Sequence, residues 1–214
     1  MSGPMRRLAI IALGTLALVG AHAADAAVVT RHDRAGRALK FDVRARGVHV
    51  GWYASVLRGA IHGDEIETVR IRIVPRSGIS RLCERNARSC YEGDERKGLV
   101  VVPAGRSADV AHMLLHEYAH HIDMARSNFL FTDKPWARSW WAARRVNSLL
   151  AGGKASFTYS RGWDRSVGEV FAEDYVQLNM RSHYYISWLR PPGAAIRAAL
   201  LRDVRSASRR AHNR

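Results

Sequence analysis

The sequence has few of the features that mark a membrane protein or a thiolate metal protein. Its 214 residues include only two cysteines, so the paired C-x-x-C motifs of a cysteine metal site are absent. The longest apolar run, residues 8–20, is shorter than the roughly 18–20 residues that cross a bilayer. No internal repeat and no long low-complexity linker is present. We therefore expect neither a transmembrane anchor nor a repeat array.

The first 23 residues have the pattern of a secretory signal peptide. Arg6 and Arg7 precede the apolar run, and Ala21 and Ala23 place small residues two apart after it. The alternative interpretation is a buried N-terminal helix. We favour cleavage after Ala23 and a secreted or periplasmic protein.

The rest of the chain is expected to form one monomeric domain, residues 24–204, with a basic C-terminal tail, residues 205–214. Cys83 and Cys90 both lie in this domain. In an exported protein, their close spacing predicts a disulfide bond that closes a small loop.

The chain is strongly basic, with a formal net charge of +15, and only four of its 34 basic residues are lysines. Such arginine dominance often reflects codon bias alone. The alternative is attraction to an anionic surface, an anionic polymer or an acidic polypeptide substrate. No aromatic-interleaved basic motif accompanies the charge, so we expect no specific nucleic-acid partner.

Hydrophobic periodicity predicts an α+β fold, in which a small mixed sheet is followed by a helical C-terminal half. Residues 51–61 are predicted to form a helix. Residues 68–74 alternate apolar and charged side chains, as a half-buried strand does, and residues 98–102 form a second strand. Pro75 and Pro103 end these strands.

The C-terminal half carries the signals of four helices. Ser107 is predicted to cap a helix that runs to about residue 126. The others are expected after Pro135, with Trp136, Trp140 and Ala143 on one face, from Ser166 past Tyr175, and after Pro192.

The first of these helices contains an H-E-x-x-H motif, formed by His116, Glu117 and His120. Residues four apart on a helix lie one above the other, so both imidazoles can reach one metal ion. Glu117 is one step around the helix, where it can meet a water molecule at the metal. The motif predicts a zinc site on a helix that packs into the core.

The neighbouring polar residues are weaker candidates for metal ligands. His112 is four residues before His116 and could line the same cleft, but a third ligand from one straight helix would overextend the reach to a tetrahedral ion. His121 is expected to point away from His120, either solvated or capped by a neighbour. Asp123 is expected either to fix a nearby side chain or to lie in solvent.

A catalytic zinc site commonly has three protein ligands, and the extra histidine that completes the metzincin motif is absent. Glu169 and Glu173 are four apart on a predicted helix, so one can bind the metal while the other orients a ligand imidazole. Ser166 and Glu169 also match a capping box, in which Glu169 would cap its own helix. We favour Glu169 as the ligand, with Asp164 in reserve.

The segments HEYAHHID, residues 116–123, and EVFAE, residues 169–173, resemble the gluzincin zinc metallopeptidases. They are most similar to the catalytic domain of the anthrax lethal factor-like group. The resemblance implies that Glu169 is the third zinc ligand. It also implies that Tyr159, in the stretch TYSR, stabilises the reacting oxygen, with Arg161 as an alternative donor.

Motif and resemblance together predict an exported, Zn²⁺-dependent endopeptidase that cleaves polypeptides. Glu117 would take a proton from the water that attacks the peptide carbonyl. The predicted strand of residues 98–102, if it lies at the sheet edge, could pair with an extended substrate. Two alternatives remain open: a non-catalytic metal-binding module, and a basic binder of anionic cell-surface polymers whose histidines are structural.

Overall fold

A computed structural model of the protein describes residues 27–126 and 135–211. The predicted signal peptide lies outside the described residues. None of the helices in the described ranges is long and apolar enough to cross a bilayer.

A mixed sheet forms the N-terminal half of the described chain. Its strands are β1 (Ala27–His32), β2 (Ala38–Val43), β3 (Val69–Val74), β4 (Cys90–Gly93) and β5 (Gly98–Pro103), in the spatial order β1-β2-β3-β5-β4. The central pairs β2–β3 and β3–β5 are parallel, and the outer pairs β1–β2 and β4–β5 are antiparallel. The predicted α+β class with a small mixed sheet is confirmed.

The strand expected at the sheet edge, β5, lies in the interior of the sheet. Val100 of β5 faces Ile71 of β3 on one side and Tyr91 of β4 on the other. The expectation that residues 98–102 present a free edge is therefore wrong. β4 takes the edge position beside β5, because the chain reverses through residues 94–97 and pairs back on itself.

Helices dominate the rest of the described chain. They are α1 (Val50–Gly59), α2 (Ile79–Leu82), α3 (Ala108–Met124), α4 (Arg138–Arg144), α5 (Val146–Ala151), α6 (Val167–Asn179) and α7 (Ala194–Ala211). Trp136, expected inside a helix, precedes α4, and a left-handed Arg145 separates α4 from α5. The backbone of residues 205–211, expected to be a frayed tail, continues α7.

One continuous hydrophobic core joins the sheet to the helices. It includes Phe41 and Ile71 of the sheet, Leu114 and Tyr118 of α3, and Phe171 of α6. Helix α3 packs on β5 and β4, and α6 packs against α3. The two helices that carry the predicted metal ligands are thus held side by side by core packing.

The predicted disulfide between Cys83 and Cys90 is present. It packs against a second, smaller cluster of apolar side chains, formed by Val74, Ile79 and Val101. The bond therefore joins the end of α2 to the start of the edge strand β4.

Candidate metal centre

Local sequence explains why α3 presents the H-E-x-x-H motif as it does. Ser107 caps the helix, since its side-chain oxygen accepts a hydrogen bond from the amide of Val110. Apolar residues at helical spacing then bury one face of α3 in the core. The motif lies on the part of the helix that faces a cleft, and His116 and Glu117 are buried there.

His116, His120 and Glu169 form a group of donors that could hold a metal ion, and the ligand atoms of the group lie within 4.8 Å of one another. His116 Nε2 is 2.9 Å from Glu169 Oε2, and His120 Nε2 is 3.5 Å from Glu169 Oε1. Bonds of about 2.0–2.2 Å in a tetrahedron place neighbouring ligand atoms about 3.3–3.6 Å apart, so the contact of His120 with Glu169 has this spacing and the shorter contact of His116 is a hydrogen bond. Two imidazoles and a carboxylate so close together could hold a metal ion.

The two alternatives to this ligand set find no support in the structure. Ser166 does occupy the N-cap position of α6, but its side chain makes no capping hydrogen bond, and the carboxylate of Glu169 is directed to the histidines instead. Asp164 belongs to neither group of potential metal ligands among the described residues.

Glu173 contacts the other nitrogen of His116. Its Oε1 lies 3.0 Å from His116 Nδ1 and 2.8 Å from His112 Nε2. Its Oε2 accepts a hydrogen bond from the amide of Tyr185. A carboxylate that holds the far nitrogen of a ligand imidazole fixes both the orientation and the tautomer of that ring.

His112, His116 and Glu173 form a second group that could hold a metal ion, and it shares His116 with the first. The polar atoms of this group already have protein partners. His112 Nδ1 lies 2.7 Å from the hydroxyl of Ser182, and Glu173 accepts from three donors. We interpret this group as a hydrogen-bonded support, and the first group as the metal centre.

Without a metal, the charges of the two glutamates control the protonation of the site. Burial favours a neutral His116, but the hydrogen bonds to Glu169 and Glu173 outweigh it and raise the pKa of His116 well above its usual value. Burial also opposes ionisation of Glu173, yet the hydrogen bonds from His112 and His116 lower its pKa to about 2. The pKa of Glu169 falls still further, since burial is outweighed by the charge of His120 and the contact with His116.

Glu117 lines the same cleft and is only 7% exposed. Its Oε1 accepts a hydrogen bond of 2.7 Å from the hydroxyl of Ser89. Ser89 belongs to the loop between the two cysteines, which the sequence did not connect with the metal centre.

The loop before α6 places Tyr159 in the cleft. Its hydroxyl donates a hydrogen bond of 2.8 Å to Glu169 Oε1. Arg161, the alternative donor, instead donates to the carbonyl of Gly153 and does not line the cleft. Between Tyr159 and α6, the indole ring of Trp163 stacks on the imidazole of His116 and is 44% exposed.

His121 lies outside both groups of potential metal ligands, and of the two expected environments, solvent or a neighbouring cap, the structure shows the second. The imidazole is fully buried, with Tyr91 on Nδ1 and the carbonyl of Glu65 on Nε2. Gly98 allows this close approach, because a Cβ there would come within 2.4 Å of His121 Nδ1. Asp123 is also buried, and it accepts a hydrogen bond from Trp136 Nε1.

Both groups of potential metal ligands lie in a cleft of about 1070 Å³. One wall is the disulfide-closed loop, and sequence reasoning missed it, together with Trp163 and Tyr185. For Trp163, the sequence indicated a place near the cleft only through its position six residues before Glu169. Ser89 and Tyr185 reach the cleft through tertiary contacts that leave no local pattern.

Comparison of the chain with protein-family models, curated proteins and solved structures gives no match. The geometry of the cleft is therefore the basis for any statement about function.

Proposed function

We propose that this protein is an exported zinc endopeptidase of the gluzincin type. The observation that carries the proposal is that three potential metal-ligand side chains from two helices lie together: Glu169 of α6, and His116 and His120 of α3. A zinc ion in such a set polarises a carbonyl and lowers the pKa of a water molecule to about 7.

The residues around these donors can carry out the proton transfers of peptide hydrolysis. Glu117 lines the cleft next to His116, where its carboxylate can take a proton from the attacking water and pass it to the leaving amine. Tyr159 has its hydroxyl at the ligand carboxylate of Glu169, where it can donate to the oxygen that gains charge. Glu173 keeps His116 in the orientation that the ligand set requires.

The edge strand β4 supports an extended polypeptide as the substrate. Cys90, Tyr91 and Gly93 of this strand line the cleft, and β4 lies at one end of the described sheet. A free strand edge offers backbone hydrogen bonds to an extended chain and gives little sequence selectivity. This role, expected of β5, is therefore proposed for β4.

Export is supported by the disulfide and by the predicted signal peptide. Disulfides persist in oxidising compartments such as the periplasm or the medium. We expect the exported protein to begin at Ala24, which N-terminal sequencing of protein recovered from those fractions would show.

Zinc content and peptide cleavage, measured on the same four proteins, test the proposal. The proteins are the unmodified chain, Glu169→Ala, Glu117→Gln and the surface control Glu95→Gln, in the turn between β4 and β5. We expect about one zinc per chain in all except Glu169→Ala, whose zinc content falls sharply. Cleavage of an unfolded protein should fall by about 10²–10⁴-fold in Glu117→Gln and persist in the control.

The alternatives give different results in the same experiment. Stoichiometric zinc without any cleavage would identify a non-catalytic metal-binding module. Absence of zinc after zinc-replete purification would overturn the metal centre. Salt-sensitive binding to anionic polymers, unchanged in Glu117→Gln, would then favour the basic surface as the functional feature.

A further inference from the structure

We propose that Ser89 is a positioning residue for Glu117, and that the disulfide between Cys83 and Cys90 holds Ser89 in place. The inference rests on the proposed function, since it assigns Glu117 the role of a general base. It connects a surface loop, far from the H-E-x-x-H motif in sequence, to the proton transfer.

The contact itself is short and directional. The hydroxyl of Ser89 donates to Glu117 Oε1 at 2.7 Å, and Glu117 is buried in the cleft wall. A hydrogen bond to one carboxylate oxygen restrains rotation of the whole group. The second oxygen of Glu117 is then available, in a fixed direction, to receive a proton from a water molecule in the cleft.

The conformation of the loop that carries Ser89 depends on how its two ends are held. Most of its side chains are exposed: Glu84, Arg85, Asn86 and Arg88. The disulfide closes the loop directly beside Ser89 and is packed against the small apolar cluster under the sheet. A covalent closure of a short, solvated loop removes much of the conformational freedom that would otherwise separate Ser89 from Glu117.

A second attachment comes from Arg88. Its guanidinium pairs with Asp109, in the first turn of α3, and donates to the hydroxyl of Tyr185 at 3.4 Å. Both partners are outside the loop, and the pair is solvent-exposed, so it contributes little free energy on its own. The disulfide is therefore the main constraint on the position of Ser89.

The kinetic experiment uses Ser89→Ala, the conservative Ser89→Thr, the pair Cys83→Ala/Cys90→Ala, and the exposed control Ser148→Ala. Because Ser89→Ala removes the hydrogen bond that orients the Glu117 carboxylate, its kcat should fall about 10–100-fold. KM and zinc content should stay within about threefold, and Ser89→Thr should recover most of kcat. The cysteine pair should lower kcat similarly, and adding Ser89→Ala to it should change little further.

A thermal unfolding cycle on the zinc-free protein tests the contact without activity. Because the two side chains share one hydrogen bond, the double variant Ser89→Ala/Glu117→Ala should lower the Tm by clearly less than the sum of the decreases in the two single variants. Additive shifts, or an active enzyme whose kcat is unchanged in Ser89→Ala, would overturn the inference and leave the proposed function standing. An inactive unmodified protein would overturn the proposed function and the positioning role of Ser89 with it.

Discussion

Oε1 of Glu173 on α6 lies 3.0 Å from Nδ1 of His116 on α3, while Nε2 of the same imidazole lies 2.9 Å from Glu169. His116 is therefore held between two carboxylates of one helix. One of them is available as a metal ligand and the other as its support, and the two roles follow from which ring nitrogen each glutamate faces.

Replacing Glu173 with glutamine should weaken zinc binding by about 10–100-fold while the fold persists. The carboxylate accepts from two imidazoles on Oε1 and from a backbone amide on Oε2, and an amide side chain has only one oxygen to offer. Chelator competition would measure the affinity. Unchanged affinity, equal to that of the exposed control Glu95→Gln, would remove Glu173 from the site.

Tyr159→Phe should retain zinc and lower kcat by about 10²–10³-fold with little change in KM, if the hydroxyl donates to the developing oxyanion. The hydroxyl lies at Glu169 Oε1, inside the cleft, although the residue as a whole is exposed. Steady-state kinetics on a peptide substrate and zinc analysis would measure both quantities. A loss of zinc in this variant would show instead that Tyr159 only supports Glu169.

Arg144→Met should lower the free energy of unfolding by about 3–5 kcal/mol, because it leaves the buried carboxylate of Asp174 without its cationic partner. Arg144 Nε donates to Asp174 Oδ2 at 2.7 Å, and both side chains are buried where α4 meets α6. Urea unfolding would measure the change. The matched variant Arg138→Met, on the exposed face of the same helix, should lie within about 0.5 kcal/mol of the unmodified protein.

Asp33→Asn should destabilise the protein in a pH-dependent manner. Burial opposes ionisation of Asp33, but hydrogen bonds from His62 and Arg37 hold its pKa well below the usual value. A depressed folded-state pKa stabilises the fold above the unfolded pKa of about 4, and this stabilisation is lost as pH falls through the folded pKa.

The difference in unfolding free energy between Asp33→Asn and the unmodified protein should thus be about 1.5–3 kcal/mol at pH 7 and should shrink below about pH 4. Urea titrations at several pH values would measure it. A difference that is constant from pH 7 to pH 3 would mean that the ionised carboxylate is not the stabilising group.

Features with local causes could be predicted from the sequence. Ser107 caps α3 as predicted, because a helix start depends on the few residues around the cap. Helix α6 begins directly after Ser166 as predicted, although the Ser166 side chain makes no capping hydrogen bond. The H-E-x-x-H spacing brings two imidazoles together because residues four apart lie on one face of a helix. The disulfide was predicted from two closely spaced cysteines in a chain expected to be exported, and it is present.

Features that depend on distant contacts could not be predicted. β4 is short and has no apolar alternation, so nothing in its sequence showed that it would displace β5 from the sheet edge. The sequence left open whether His121 is solvated or capped by a neighbour, and only the packing of Gly98 and Tyr91 against it decides for the second. The bond from Ser89 to Glu117 joins two segments whose meeting depends on the whole fold.

The stacking of Trp163 on His116 gives the protein a built-in optical signal. The indole ring lies 5.7 Å from the imidazole, centroid to centroid, while Trp140 is buried in the core. If a metal ion bound at His116, the electric field at this exposed indole would change. The difference in intrinsic fluorescence between the unmodified chain and Trp163→Phe, which removes the contribution of the other five tryptophans, would then report occupancy of the site in real time, with no added dye and no substrate.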